Sequence, residues 1–557
     1  FRLAAAADAP DWHEDRQVRD ELPVLVLFDG WASLFRDRVV PWRIALAEKG
    51  RAQFERDVLP EFVAGRRWYA AKGEAVQRVA LIDHAEWKQE RHEWMIALAR
   101  VETASGEPQT YFLPLTLAWE PDDDRLRALA PLTVAKVRQQ AKIGVMADAF
   151  GDEAFSRALL AAIAARREIK MAKGKLRFVA TDAFERLAGD ALDALPVTQP
   201  AAQSSNTVVA LGERLFLKAY RRIQPGVNPE AEIGRYLTDV ARFEHSVPVA
   251  GTIDYVADDG HIETVALLQG YVENQGDGWT TTQNYLERFL EQTPAVDDDP
   301  APAASRHGGF LALMHTLGTR TGELHAVLAL ARGDPAFEPM PVTPADLTAW
   351  TKRTHAEAIA ILDRLERTQA TLPEAARDDA AQVLAARKAL LARIDAHASD
   401  RDAGRRMRIH GDYHLGQVLV VQNDFVIADF EGEPARSLAE RREKQSPLKD
   451  VAGMLRSFDY ALHATVKRID GEASDARERR EKLGNEWLRE TRAAFLEGYD
   501  AAAQRAGQPG ASTQPRGLLD LFLLEKVLYE LKYEMQNRPD WVGIPLRGLV
   551  ELAQSAP

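Results

Sequence analysis

The run Arg408-Ile-His-Gly-Asp-Tyr-His-Leu-Gly-Gln417, followed by Val426-Ile-Ala-Asp-Phe-Glu-Gly432, holds the residue types that phosphoryl transfer requires. Gln417 to Val421 is apolar and β-branched, Asn423-Asp424 is a turn signal, and Phe425 to Ala428 reads as a second short strand. Folding that hairpin brings Asp412 and Asp429 to one edge of a sheet, with Gln417 nearby. One carboxylate can then orient an attacking hydroxyl, while an amide oxygen and the other carboxylate hold Mg²⁺ on a nucleotide. Those parts suffice because a loose transition state leaves the protein mainly positioning and charge neutralisation to supply.

The pattern H-G-D-x-x-x-x-Q with a downstream D-F-E-G resembles the catalytic core of aminoglycoside- and choline-kinase-like phosphotransferases, which share the bilobal protein-kinase fold. Gln417 stands where those relatives carry a metal-binding Asn, and D-F-G has become D-F-E-G. Both departures occur in one branch, the maltokinases, which phosphorylate maltose at its anomeric hydroxyl. Arg66-Arg-Trp-Tyr-Ala-Ala-Lys-Gly73 resembles the start of the maltokinase N-terminal cap. Read from the residues alone, Trp68 is an aromatic anchor and Lys72-Gly73 a helix stop. The resemblance implies ATP and Mg²⁺ as cofactors, Asp412 as catalytic base, and Gln417, Asp429 and Glu431 as metal ligands.

Positioning a nucleotide asks for a second hairpin, and one precedes the first. Gln203-Ser-Ser-Asn-Thr-Val-Val-Ala-Leu211, a Gly212-Glu213 turn and Arg214-Leu-Phe-Leu-Lys-Ala-Tyr220 supply it. Alternation places Leu215, Leu217 and Ala219 on one face and Phe216, Lys218 and Tyr220 on the other. A lysine on such a strand is costly unless paired. Asn228-Pro-Glu-Ala-Glu-Ile233 offers an N-cap, a proline at the first helical position and two carboxylates. Lys218 with Glu232 resembles the strand-lysine and helix-glutamate pair by which kinases hold the α- and β-phosphates, with Glu230 as the rival partner. No G-x-G-x-x-G loop is present. Ser204, Ser205 and Asn206 occupy its place, small enough for backbone N–H groups to approach phosphate. Gln269, Tyr271 and Val272, in Leu267-Leu-Gln-Gly-Tyr-Val-Glu-Asn274, are candidates for an adenine-binding hinge through their backbones.

Leu518 to Arg538 reads as a helix with two faces. Leu521, Leu524, Leu528, Leu531 and Met535 recur at spacings of three and four and make a core stripe. Roughly opposite lie Lys526, Tyr529, Glu530, Tyr533 and Asn537, followed by Arg538-Pro539 and Trp541. A solvated face explains Lys526 and Glu530 but not the aromatics. The string E-K-x-x-Y-E-x-x-Y-E-x-x-N-R-P-x-W closely resembles the sugar-binding segment of maltokinases, which implies that Lys526, Tyr529, Glu530, Tyr533, Asn537, Arg538 and Trp541 bind the acceptor. Among the histidines, His410 is expected to shape the catalytic loop, His414 to serve as a loop residue or a phosphate contact, and His325 to be helix structure.

At 557 residues the chain is too long for one core. Hydrophobic residues at 46% and charged residues at 28% are those of an ordinary globular protein. A net charge of -13 argues against a nucleic-acid partner. With no cysteine, disulfides and thiolate chemistry are excluded, which suits a reducing cytoplasm. No apolar run approaches the ~20 residues of a membrane span, so no membrane association is expected. The chain starts at Phe1 and is read as beginning partway through a longer product.

The expected organisation is α+β and bilobal, protein-kinase-like, with an N-terminal α+β cap. Residues 1–45, including the apolar run Pro23-Val-Leu-Val-Leu-Phe28, resemble the tail of a trehalose synthase, an enzyme often fused ahead of maltokinases and hence a possible partner. Residues 46–135 form the cap, with an antiparallel sheet within 76–120. Residues 136–270 form an intermediate segment, helical from Ala147 to Ile169, and the nucleotide-binding small lobe. Residues 271–557 form a mostly helical large lobe, and the acidic, Pro-rich stretch 293–305 is read as a mobile loop. The function expected is phosphorylation of maltose to maltose 1-phosphate for α-glucan synthesis. The alternatives are a kinase for another small sugar such as glucosamine, or a non-catalytic docking partner of trehalose synthase.

Overall fold

The computed structural model describes residues 22–104, 106–200, 206–292, 306–330, 332–397, 404–469, 474–508 and 516–554. They form two compact units, 22–240 with 247–273, and 241–246 with 274–554. The stretch read as an acidic loop, 293–305, and residues 1–21 of the N-terminal tail lie outside the described residues.

In the first unit one sheet runs in the order Val24–Val26, Thr133–Gln139, Lys142–Asp148, Gln109–Trp119, His92–Thr103, Val76–Gln89. Both faces are covered, which explains why its central strands read as unbroken apolar runs. Trp94, Ile96, Leu98 and Phe112 point into one core, whereas Met95, Ala97, Ala99, Tyr111, Leu113 and Leu115 point into the other. Strand Val76–Gln89 changes faces midway. Val79 and Leu81 serve the second core, and Ala85 and Trp87 the first. A break in register between Leu81 and Asp83 makes the switch, because one extra residue inverts a period-two pattern.

The N-terminal segment departs from expectation. Leu25, Leu27, Trp31, Leu34 and Phe35 are each about 1% exposed and fill the second core. Val24–Val26 pairs in parallel with Thr133–Gln139. Residues 25–35 thus pack into the same core as this sheet, which runs on to Asp148. The helix expected from Ala147 is shorter, Glu153–Ala164. Asp152 caps it by accepting from Ala154 N at 3.1 Å, and the left-handed Arg166 (φ 48°) lies just past its end.

A second sheet in this unit is ordered Glu168–Lys170, Gly174–Ala180, Val249–Ala257, Ile262–Gly270, Leu215–Ala219, Thr207–Leu211, Val197–Thr198. Leu215, Leu217, Val265 and Leu268 share the first core with Phe155, Leu159 and Phe178. The second unit is helical around a two-stranded hairpin. Helices Gly308–Leu328 and Ser474–Arg505 meet backbone to backbone, since a Cβ at Gly318 would collide with Phe495 O and one at Gly498 with His315 O. No helix among the described residues is long and apolar enough to cross a membrane.

Candidate active site

The hairpin in the second unit pairs Val418–Val421 with Asp424–Ile427, in register from Val418↔Ile427 to Val421↔Asp424. The turn falls at Gln422-Asn423, one residue earlier than expected. Gln422 takes the left-handed conformation there (φ 57°), and Asp424 is needed in the strand, where Arg320 grips its carboxylate at 2.6 and 2.8 Å. At the open end, Ala428 N donates to Gln417 O at 2.9 Å. Asp429 follows with φ 64°, a region that Asp enters more readily than most side chains. A carboxylate oxygen of Asp429 and one of Glu431 lie within 4.8 Å of each other. The loops bearing Asp412 and Asp429 cross closely: a Cβ on Gly411 (φ 85°) would lie 3.3 Å from Gly432 Cα.

Asp412 is positioned from below by a carboxylate that sequence reasoning missed. Asp450, in helix Leu448–Ile469 and 1% exposed, accepts from His410 N (2.8 Å), Gly411 N (2.9 Å) and His325 Nε2 (3.1 Å). Burial works against ionising Asp450, but His325, His410 and the backbone donors outweigh it and hold its pKa below the usual range. His325 in turn meets the Tyr499 hydroxyl at 3.1 Å. His410 faces Ala428 O through Nε2 at 2.9 Å and accepts from Asp412 N through Nδ1 at 3.4 Å. It thus ties the two loops together. His414 Nδ1 accepts from Gly416 N at 3.0 Å, which leaves Nε2 3.9 Å from Asp412 Oδ2. Burial lowers the His414 pKa, so the ring is neutral near pH 7.

The helix expected from Leu518 runs Arg516–Asn537, with Leu521, Leu524, Leu528 and Leu531 buried. Lys526 Nζ donates to Asp412 Oδ1 at 3.4 Å. Burial would discharge this lysine, but Asp412, Glu530 and Glu433 more than offset that and raise its pKa. Tyr529 is pushed up to about 12, by burial first and then by Glu433. Both side chains line a cavity of about 470 Å³ that also contains Asp412, Glu433 and Arg436. Its far wall is helix Pro344–Thr368, which contributes Arg353, Glu357 and Arg364. Nothing local in that helix's sequence announces the role.

Glu530, expected to face the acceptor, is buried and accepts from Arg456 Nη2 (2.7 Å) and Nε (3.0 Å). It balances a buried guanidinium, and the long-range pairing with Arg456 could not be read from helical spacing. The outer residues do not line the cavity. Tyr533 is 42% exposed, and Asn537 Nδ2 donates to Tyr533 O at 2.9 Å. The guanidinium of Arg538 is fixed by Glu534 and lies 5.3 Å and 5.1 Å from the rings of Tyr533 and Trp541.

In the first unit, Lys218 Nζ donates to Glu230 Oε2 at 2.8 Å, so Glu230 replaces Glu232 as the preferred partner. Capping is the reason. Asn228 Oδ1 accepts from Glu230 N at 2.8 Å and starts the helix Pro229–Arg235, which turns Glu230 inward to 2% exposure and leaves Glu232 half-buried. Tyr220 Oη (2.7 Å) and Gln269 Nε2 (3.3 Å) complete the Glu230 carboxylate. The hinge candidates lie at the end of the same sheet. Gln269 is paired to strands on both sides, at Phe216 and Val249, and Tyr271 N donates to Arg214 O at 2.7 Å. The Tyr271 N–H is thereby engaged at the sheet edge. Val272 lies beyond the strand, and Ser204 and Ser205 lie outside the described residues.

An aspartate-bearing loop over a β-hairpin, a strand lysine paired to a helix glutamate, and an α+β architecture are the features of a kinase-type phosphotransferase. Residues 196–502, more than half of the chain, match the phosphotransferase enzyme family, and residues 62–152 match the maltokinase N-terminal cap domain. The chain belongs to that phosphotransferase family, has the bilobal kinase-like fold with an added cap, and is a sugar phosphotransferase. It is 26% identical over 356 residues to a glucosamine kinase of Streptacidiphilus jiangxiensis, covering 62% of this chain and 71% of that protein. It is also 26% identical over 352 residues to a glucosamine kinase of Mycolicibacterium smegmatis, covering 63% and 77%. Among solved structures, a glucosamine kinase in complex with glucosamine, ADP and inorganic phosphate aligns with a TM-score of 0.58 at 21% identity, over 88% of this chain and 98% of that one.

Proposed function

We propose that the protein transfers the γ-phosphoryl group of ATP to the anomeric hydroxyl of maltose. The observation that carries this reading is the direction in which helix Arg516–Asn537 leaves the catalytic base. Lys526 touches Asp412, Tyr529 lines the cavity beside it, and Tyr533 stands exposed one turn further on. From Lys526 to Tyr533 the helix rises about 10 Å. That face suits an acceptor longer than one pyranose ring, with its reactive end at Asp412.

In this mechanism Asp412 accepts the hydroxyl proton as the sugar oxygen bonds to the γ-phosphorus, and the bond to the β–γ bridging oxygen breaks to release ADP. Lys526 and the His410–Asp450 support hold the base in place. Lys218, fixed by Glu230, meets the phosphates. The left-handed Asp429 and the neighbouring Glu431 suit a hard cation, so Gln417, Asp429 and Glu431 would hold Mg²⁺. When bound, it neutralises phosphate charge.

A second reading, glucosamine as acceptor, is favoured by the names of the relatives. An ADP-release assay over a sugar panel separates the two. The proposal expects turnover with maltose well above that with glucosamine, glucose or trehalose, and a product with phosphate on the anomeric carbon.

A further inference from the structure

The cavity beside Asp412 is charge-balanced at its inner end and unbalanced at its outer end. At the inner end Arg436, Lys449 and Arg353 each face a carboxylate. Arg436 meets Glu433 at 2.5 Å and Glu525 at 3.1 Å, Lys449 meets Glu525 at 2.9 Å, and Arg353 lies 3.7 Å from Glu525. Outward along helix Pro344–Thr368 come Arg364 and Arg367, and outward along helix Arg516–Asn537 comes Lys532. All three line the same cavity, and none forms an ion pair or a side-chain hydrogen bond among the described residues. Other arginines of this unit are gripped by acids, among them Arg320, Arg387 and Arg393. Glu357, the cavity carboxylate seven residues before Arg364, forms no ion pair either; burial and Glu525 raise its pKa against the weaker pull of Arg436, Arg353 and Lys532.

Three cations converging from two helices on one cavity, with no carboxylate bridging them, form a site for a polyanionic group. We infer that Arg364, Arg367 and Lys532 make an anion subsite at the outer end of the acceptor cavity, which takes a phosphate group. Phosphate fits because guanidinium groups donate in pairs to its oxygens and an ammonium adds a point charge. Two sources offer that chemistry, a sugar phosphate or free inorganic phosphate. Either would occupy the cavity in which the acceptor must sit, so either would inhibit in competition with the acceptor. This inference rests on the acceptor site proposed above but not on the acceptor being maltose.

The test uses the full chain and the triple variant R364Q/R367Q/K532Q, in which every substitution is at a half-buried or exposed position and folding is expected to be retained. Inorganic phosphate and glucose 1-phosphate are titrated as inhibitors at several concentrations of acceptor and of ATP. The expected result is inhibition competitive with acceptor, with an inhibition constant raised at least about tenfold in the variant, while the KM for ATP stays unchanged. Inhibition by glucose 1-phosphate alone assigns the subsite to a sugar phosphate, and inhibition by both assigns it to phosphate in general. Inhibition competitive only with ATP, an unchanged inhibition constant in the variant, or no inhibition by either anion would overturn the subsite. Absence of turnover with every sugar tested would instead sink the acceptor-site reading. Phosphate binding would then be followed by ³¹P line broadening with parent and variant, and broadening equal in the two would overturn the subsite on its own.

Discussion

The two halves of helix Arg516–Asn537 carry one periodic polar face but meet different surroundings. In the first half Glu525, Lys526 and Glu530 are enclosed and engaged by Lys449, Asp412 and Arg456 respectively. In the second half Tyr533, Asn537 and Arg538 are exposed, and Arg538 lies against two aromatic rings. The inner half holds Asp412, the proposed base, through Lys526. The outer half carries two aromatic rings and donors engaged by Glu534 and by Tyr533 O, the surface on which the proposed second sugar ring would lie. Identical spacing therefore does not mean identical function along one helix.

Breaking the inner end should have the largest effect. Asp412→Asn keeps an acceptor of hydrogen bonds but cannot take the proton, and should lower kcat by about 10²–10⁴-fold with nucleotide binding retained. Single-turnover kinetics together with nucleotide titration check this, and turnover within a few-fold of the parent would remove Asp412 as base. Asp429→Ala should raise the Mg²⁺ concentration needed for half-maximal activity, read from a metal titration at fixed ATP. An unchanged requirement would shift the metal role to Glu431.

Glu530→Ala should act on stability before it acts on the acceptor. Removing it leaves Arg456 buried and poorly compensated, at a cost of roughly 3–5 kcal/mol, measurable as a lower urea midpoint. Nearby, burial alone would raise the Glu525 pKa, but Lys449, Arg353 and Arg436 more than reverse this and hold it near about 2, against an ordinary value of 4.5. A depressed carboxylate stabilises the fold above its unfolded pKa. That stabilisation should be present above about pH 4.5 and be lost as pH falls towards 2. Glu525→Gln should flatten the stability profile in that window, and an unchanged profile would mean that the carboxylate titrates normally.

The smallest effect is expected at the outer end. Tyr533→Ala should raise the acceptor KM only a few-fold, in line with one neutral contact of about 0.5–1.5 kcal/mol, without moving kcat or the KM for ATP. Lys526→Gln, by contrast, should lower kcat and raise the acceptor KM together. Equal effects of the two substitutions would erase the distinction between the halves of the helix.

How much could be read in advance depended on the range of the forces involved. The catalytic hairpin was legible because alternation and a turn are local signals, and even its one-residue shift traces to a distant partner, Arg320. Asp412 and Lys526 could each be singled out, but their contact spans the lobe. Asp450 had no local mark, since its role arises only where its helix passes under the Gly411 loop. The choice of Glu230 over Glu232 turned on the Asn228 cap, whose geometry spacing suggests without fixing. Residues 23–45 read as a tether because three strand residues are too few to signal membership in a sheet. Only the core that Leu25 to Phe35 fill shows that they pack with this sheet.

The central claim is that the cavity beside Asp412 accepts a disaccharide along helix Arg516–Asn537. Its most direct test is the ratio of kcat/KM for maltose to that for glucosamine in the parent protein, followed by ³¹P analysis of the product. A ratio well above one, with the phosphate on the anomeric carbon and a selective fall in that ratio for Tyr533→Ala, is the predicted result. A ratio below one, unchanged by Tyr533→Ala, would contradict the account and assign the site to a single amino-sugar ring.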